Sequence, residues 1–533
     1  MNKTAKLLLT LLVFTSWAKA GLGFQWNPWL VNLAVAIAAV SLFASHPNKW
    51  KDFSVTFAPV LLIGFIIFVS FLNPRFKTLG IKEWSELNAE QYLSEEPDLE
   101  KILIITKGFR NIQAVSEKDP QLALTLFFDL KNRYADQFKK TNSPCSNLLD
   151  AYEEKITCKH IEALPSVPLR NSTSIHGAIH FLFQITFGIV TFFALRTRNE
   201  IRNFVFGIAI SGGLLALIGI FQKVHYVPGD EVKEIFGIWN APEPRYFYSS
   251  FTYKNHWCAF SLLSLFPVIA LLYYEFKNTD KKLIHSKSVF FLVAVIICLL
   301  ISIPHSGSRS GVVILLLTMV FFAYSFLLRL KIFGRKSRGL LLSSSLAFIL
   351  SVLAFSFYLN RDTSKEMLSN TKTQWSGTAN NQLPLRFLLW NDLFNQISHK
   401  TLWGYGHNSY PSINPIHQSK EVRDRRSIGL ENAHTQYTPL VGRGHSDFLE
   451  FISEIGIPLF MLLFTYPIIA IAEIIRNPSP FPKIILLGCI AFLLYFLVDF
   501  PSRSPACFLL FASTLGLSLR YARLTSCRNS SKN

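Results

Sequence analysis

Acidic side chains are scarce in this 533-residue chain: 34 Asp and Glu stand against 53 Lys and Arg, a formal net charge of +19. Charge of either sign is thin as well, at 16%, while half of the residues are hydrophobic and the mean hydropathy is +0.30. That balance excludes an ordinary soluble protein. No GxxxxGK followed by Ser or Thr occurs, so ATP-driven transport has no support. No Asp-x-Asp occurs, which argues against a metal-dependent sugar-nucleotide transferase of the usual kind. There is no internal repeat and no low-complexity tract. Cysteine is limited to seven. Cys258, Cys298, Cys489 and Cys507 lie in apolar runs and read as small hydrophobes, and Cys527 lies in a basic tail.

What is abundant is phenylalanine, 48 residues of it, and apolar runs near the roughly 20 residues that cross a bilayer. The expected fold is all-α: a polytopic transmembrane helical bundle of about 12 spans with two large extracytoplasmic loops. The spans fall at about 1–20, 29–45, 54–72, 176–195, 202–224, 256–274, 288–304, 311–328, 340–358, 456–474, 484–500 and 506–521. The first mimics a secretory signal, with Lys3 and Lys6 ahead of LLLTLLVFTSW, and reads as an uncleaved helix because further spans follow at once. Loops rich in Lys and Arg alternate with loops nearly free of them, so the excess charge is a topology signal and not a nucleic-acid surface. Both termini are then cytoplasmic.

The chain divides accordingly into residues 1–72 with three spans, 73–175 as a first helical loop domain, 176–358 with the central spans, 359–455 as a second large loop, and 456–533 with the last spans and basic tail. In the first loop, Leu122, Leu126, Leu130, Tyr134 and Phe138 recur every four residues after Asp119-Pro120, which predicts an amphipathic helix. Cys145 and Cys158 are the cysteines of that polar region, and a disulfide between them fits an oxidising compartment. His176 and His180 could pair on a metal, but no third ligand is near, and they read as headgroup-level histidines.

Four stretches set polar chemistry at membrane boundaries. RYFYSSFTYKNHWCA brings Arg245, Lys254 and Asn255 ahead of a span; Arg offers a planar fork for phosphate and Lys a point charge. The bland reading is an interfacial anchor in an aromatic belt. SGSRSG places Arg309 between two spans on the side that otherwise avoids cations, which makes it an anion-binding candidate or a snorkelling anchor. Arg386 opens RFLLWNDLF, predicted as an amphipathic helix running into a Gly404-Tyr405-Gly406 turn. GRGHSDFLEFISEIGIPLF, residues 442–460, carries His445 to the point where the chain enters an apolar run. A histidine there can exchange a proton near neutral pH. The alternative is a helix start capped by Ser446 or Asp447, with Glu450 closing a capping box. The histidines of this loop, at 407, 417, 434 and 445, lack metal spacing.

Together, and in order, YSSFTYKNHWCAFSLL, SGSRSG, RFLLWNDLF with WGYGHNSY, and GHSDFLEFISEIGIPLF resemble the motifs of the O-antigen ligase and polymerase superfamily of bacterial inner membranes. His445 matches that pattern better than His434 in AHTQY. The resemblance implies transfer of a glycan from undecaprenyl diphosphate to a sugar hydroxyl, on lipid A–core or on another lipid-linked glycan, with no metal and no cofactor. It implies that Arg309, with Arg245 or Lys254, holds the diphosphate, that Asn255 and Arg386 contact the donor, and that His445 in the periplasmic loop deprotonates the acceptor hydroxyl or orients it. Ligation to lipid A–core leads. Polymerisation of lipid-linked repeats and transfer to protein hydroxyls need the same donor site. A lipid-glycan flippase would instead need polar residues deep within its spans.

Overall fold

The computed structural model describes residues 1–22, 27–44, 53–71, 95–116, 123, 126–134, 143–151, 172–225, 234–242, 246–278, 287–329, 351, 384–426 and 441–530. The chain is an all-α polytopic membrane protein. Among the described residues, seven helices are long and apolar enough to cross a membrane, at Ile175–Ala194, Arg198–Val224, Lys254–Phe276, Lys287–His305, Ile457–Arg476, Pro480–Val498 and Pro505–Ser526. Shorter apolar helices lie at Pro28–Leu42, Ala58–Ser70 and Arg309–Phe322. Every expected span falls on a helix except that at about 340–358, which apart from residue 351 lies outside the described residues.

The helices, in chain order, are α1 (Lys3–Trp17), α2 (Asn27–Ala44), α3 (Phe53–Phe71), α4 (Leu99–Ser116), α5 (Ser172–Ala194), α6 (Arg198–Val224), α7 (Lys254–Asn278), α8 (Lys287–His305), α9 (Arg309–Arg329), α10 (Leu385–His399), α11 (Tyr410–His417), α12 (Lys420–Arg426), α13 (Asp447–Ile455), α14 (Ile457–Leu463), α15 (Thr465–Arg476), α16 (Pro480–Val498) and α17 (Pro505–Ser530). The strands described are β1 (Glu234–Ile235) and β2 (Trp239–Asn240), an antiparallel pair. The expected tenth span is two helices, α14 and α15, which break at Phe464. Pro467 follows in the first turn of α15, where a missing amide costs no intrahelical bond. The chain forms two compact units: Met1–Leu61, His180–Ser376 and Thr465–Asn533 in the first, Leu62–Ile179 and Gly377–Phe464 in the second.

The first unit is built around α7. Trp257, Phe260, Leu262, Leu263, Leu265 and Phe266 are all buried there. Glycine lets its helices touch backbone to backbone: a Cβ at Gly188 of α5 would lie 2.7 Å from the Ala512 carbonyl, and one at Gly516 of α17 would lie 2.6 Å from that of Gly188. Small residues at crossings substitute for a hydrophobic driving force that lipid does not supply. At one end of this unit Asn2 donates to the Ala194 carbonyl, Arg520 to that of Leu195 and Asn477 to that of Ala522. At the other end Ser250 donates to the Ser16 carbonyl. His180 accepts from the Asn32 amide at 2.7 Å and meets the edge of Trp29, so its ring is engaged by neighbours on α2.

In the second unit, the described parts of both polar loops share one core. Ile105, Ile112, Phe127, Phe128, Cys145, Leu148 and Leu149 from the first loop pack with Tyr405 and Ile413 from the second. Residues 126–134 are helical, with Leu130 buried in this core and Leu126 and Tyr134 packed against the core; Leu122 and Phe138 lie outside the described residues. Cys145 is fully buried, and burial pushes its thiol up to about 11. Its expected partner Cys158 lies outside the described residues. A second core, Leu388, Leu389, Leu393, Tyr410, Val422 and Val441, clamps α10, α11 and α12 together.

Candidate functional site

In the first unit the chemistry gathers where α7 and α9 begin. Asn255, second residue of α7, is buried, and its amide oxygen accepts from Ser308 at 2.6 Å. Its amide nitrogen donates to the Tyr253 hydroxyl at 2.8 Å and to the Asp499 carboxylate. Tyr253 donates in turn to Asp499 at 3.2 Å, and its ring stacks on Phe500. Ser308 also meets the Tyr495 hydroxyl at 3.0 Å and accepts from the Gly311 amide at 3.2 Å. A Cβ on Gly311 would stand 2.8 Å from the Cys258 sulfur, so only glycine lets α9 start this close to α7.

The network joins the helix ends next to which Lys254 and Arg309 stand. Lys254 opens α7 and is half-buried; Arg309 opens α9 and is exposed. Helix N-termini carry unpaired amides and the positive end of the dipole. Two such ends, each with a cation, suit a polyanion. Arg245 lies outside the described residues. Sequence reasoning missed Asp499 and Tyr495. The available signal was a single acid in the apolar run FLVDFPS, since an ionisable group at that depth is costly unless engaged.

In the second unit the chemistry gathers around α13. Its N-cap is Ser446, which accepts from the Leu449 amide at 3.3 Å. Glu450 is therefore one place beyond the capping-box position, and it reaches further back: its carboxylate accepts the Gly444 amide at 2.6 Å and pairs with Arg443 at 3.6 Å. Arg443 donates on to Asn408 at 3.3 Å. One turn later, Glu454 lies 3.5 Å from His407 and accepts the Tyr410 amide at 3.5 Å. The carbonyls of Ser453 and Glu454 receive the Tyr405 and Gly406 amides at 3.0 and 2.7 Å. Both glutamates are fully buried, and a buried carboxylate is tolerated only when charge and donors meet it.

The pair thus fastens two loops to one helix, the Gly404–Tyr410 turn and the Val441–Ser446 approach. Gly404 and Gly456 have φ of 64° and 78°, and a Cβ on Gly456 would lie 2.2 Å from the Leu402 carbonyl. His445 sits between these fastenings. It is half-exposed with φ of 55°, an uncommon conformation for a non-glycine residue that the surroundings must hold. The holding contacts are the Ser446 cap on one side and Trp390 on the other, whose indole donates to the His445 carbonyl at 3.2 Å. Arg386 lies in the first turn of α10, half-buried. Beside the loop, burial pushes Tyr410 well above its ordinary value, with Glu450 and Asp392 adding to the rise. Glu454, His407, Asn408 and Trp390 were not singled out as site residues from sequence, because their pairings join segments far apart in the chain; Glu450 was read only as a capping-box residue.

Among the described residues, no group of three or more His, Cys, Asp or Glu could hold a metal ion. No curated protein matches the chain. Residues 294–464 match the model of the O-antigen ligase family, a stretch that begins within α8 and ends after α14. It takes in both Arg309 and the His445 loop. Over residues 294–464 the chain therefore carries a domain of the O-antigen ligase and polymerase superfamily.

Proposed function

We propose that the protein transfers a glycan from undecaprenyl diphosphate to a sugar hydroxyl, ligating O-antigen to lipid A–core in the bacterial inner membrane. The coarser activity, an O-antigen ligase/polymerase-type glycosyltransferase acting on lipid-linked glycan, follows the matched family. The concentration of Lys and Arg in alternate loops supports cytoplasmic termini and periplasmic large loops.

Each residue has a role in that reaction. Arg309 and Lys254, with Arg245, bind the diphosphate and neutralise the charge that grows on it as the anomeric C–O bond breaks. Asn255 acts through the helix ends it laces, because its own amide is committed to Ser308, Tyr253 and Asp499. Arg386 contacts the donor. His445 takes the proton of the acceptor hydroxyl while that oxygen attacks the opposite face of the anomeric carbon. The bonding pair leaves with the diphosphate, and a single displacement inverts configuration. The leaving group supplies the driving force, so the step draws on neither ATP nor metal.

The observation that carries this reading is His445: half-exposed, held at positive φ by its neighbours, and seated at the start of α13, which leads into the membrane-entering α14. The test is a lipopolysaccharide gel from a strain lacking the protein, beside an assay of undecaprenyl-linked glycan. Loss of the ladder with long lipid-linked polymer accumulating supports ligation. Core bearing one repeat points to polymerisation. An unchanged ladder and lipid pool sinks both.

A further inference from the structure

We propose that α10 is an interfacial helix: one of its faces lies in the headgroup–acyl boundary of the bilayer that α14 enters, and it thereby fixes the depth of His445. The helix has three faces where a loop helix needs two. Leu388, Leu389, Asp392, Leu393 and Gln396 are buried in the unit. Asn391, Asn395, Ser398 and His399 are exposed and polar. Between them, Phe387 and Phe394 are 52% and 57% exposed, with half-buried Trp390 and Ile397 in the same stripe. The spacing 387, 390, 394, 397 keeps the four on one side of a helix, and Phe387 meets Trp390 edge to face at 5.2 Å.

Continuity names the occupant. Past α10 the stripe runs on into Leu402 and Trp403, 64% and 46% exposed. The Ile457 amide donates to the Thr401 carbonyl at 2.9 Å, so these two residues stand level with the first residue of α14. Ile457 and Met461 of α14 are exposed too, in a span of which only 22% is buried. An apolar stripe with tryptophans that adjoins a lipid-facing helix, and is flanked by polar side chains, has the make-up of a helix lying in the interface plane. A lipid surface fits it better than a soluble partner, because that surface already covers the adjoining helix.

Trp390 joins this contact to the candidate site, because its ring belongs to the stripe while its N–H holds the His445 carbonyl. This consequence rests on the role given to His445 above; the membrane contact does not.

The test places the photo-crosslinker p-benzoylphenylalanine at position 394 of the full chain in its native membrane, with Met461 as lipid-facing reference and Asn395 as solvent-facing reference. Mass spectrometry after irradiation should find phospholipid adducts at 394 and 461 and none at 395. A crosslink from 394 to a second copy or to another protein overturns the proposal, as does no adduct at 394 while 461 gives one. Trp390→Phe keeps the stripe and loses the donor. It should leave the lipid adduct in place and lower kcat for transfer about tenfold with KM for donor unchanged; an unchanged kcat removes the depth-setting role. If His445→Ala retained full transfer, the base assignment would fall while the adduct at 394 would still report the membrane contact.

Discussion

At the scale of single residues, the proposed mechanism divides the work between His445 as chemistry and Glu450 as support. A positioned general base contributes about 100- to 10,000-fold, so His445→Ala is expected to cost at least about 100-fold in glycan transfer while the protein still inserts. His434→Ala should change transfer little; the same lipopolysaccharide assay reads both. Glu450 acts on shape. Its carboxylate is the acceptor for Gly444 and the counter-charge for Arg443. Removing one partner of a buried pair costs on the order of 3–5 kcal/mol, and the Arg443 side chain, 28% exposed, puts this pair at the low end. Glu450→Ala should therefore loosen residues 441–446, seen as faster proteolysis there, and lower transfer with it. Glu450→Gln keeps an acceptor for the Gly444 amide and should retain more of both.

At the scale of elements, legibility followed sequence separation. The apolar helices could be read because each is a local apolar run, seven of them among the described residues long enough to cross a membrane, and α10 because Leu388, Leu389, Asp392, Leu393 and Ile397 repeat with helical period. His445 and Arg309 were singled out because their flanking residues resemble family motifs. The network that sets them was hidden: Asn255 finds Asp499 across 244 residues, and Gln396 holds Ser453 across 57. No local pattern announces such pairs. The capping box assigned to Asp447 and Glu450 shows the same limit. Spacing allowed it, but Ser446 took the cap and Glu450 turned to Gly444.

The seating of α11 on α10 carries a pH dependence. His417 accepts or donates at the Tyr405 hydroxyl at 3.0 Å and faces the ring of His399 at 5.1 Å. Burial, aided by His399, lowers it from 6.5 to about 4. The unfolded chain binds this proton below about 6.5 and the folded one only below about 4, so the second unit should lose stability as pH falls through that window. Above pH 6.5 both states are neutral and the residue adds no slope. Unfolding monitored from pH 7.5 to 4.5 should show the loss, and His417→Gln should flatten it. Equal slopes in the two proteins would remove His417 as the cause.

At the scale of the whole molecule, the question is what the bundle cannot do without. The first 20 residues mimic a signal, yet α1 is packed as a structural helix. Leu9 fills the groove at Gly207 of α6, where a Cβ would stand 2.4 Å from its methyl. Trp17 donates to Ser211 at 3.0 Å, and the Ser16 carbonyl accepts Ser250 from the loop that precedes Lys254. At the opposite end Asn2 caps α1 and binds Glu200, which closes the capping box of α6. Loss of α1 would leave those polar groups unpartnered and uncover the glycine face of α6 within the bilayer, where such groups find no water. α1 is therefore expected to remain with the mature protein. Mass spectrometry of the membrane-extracted chain should find peptides from residues 1–20. A mature N-terminus at Gly21 would show that the bundle closes without α1. Deletion of 1–20 behind a foreign signal should lower the accumulation of protein in the membrane, and with it transfer, because Ser250 and the helix start it steadies lose their anchor.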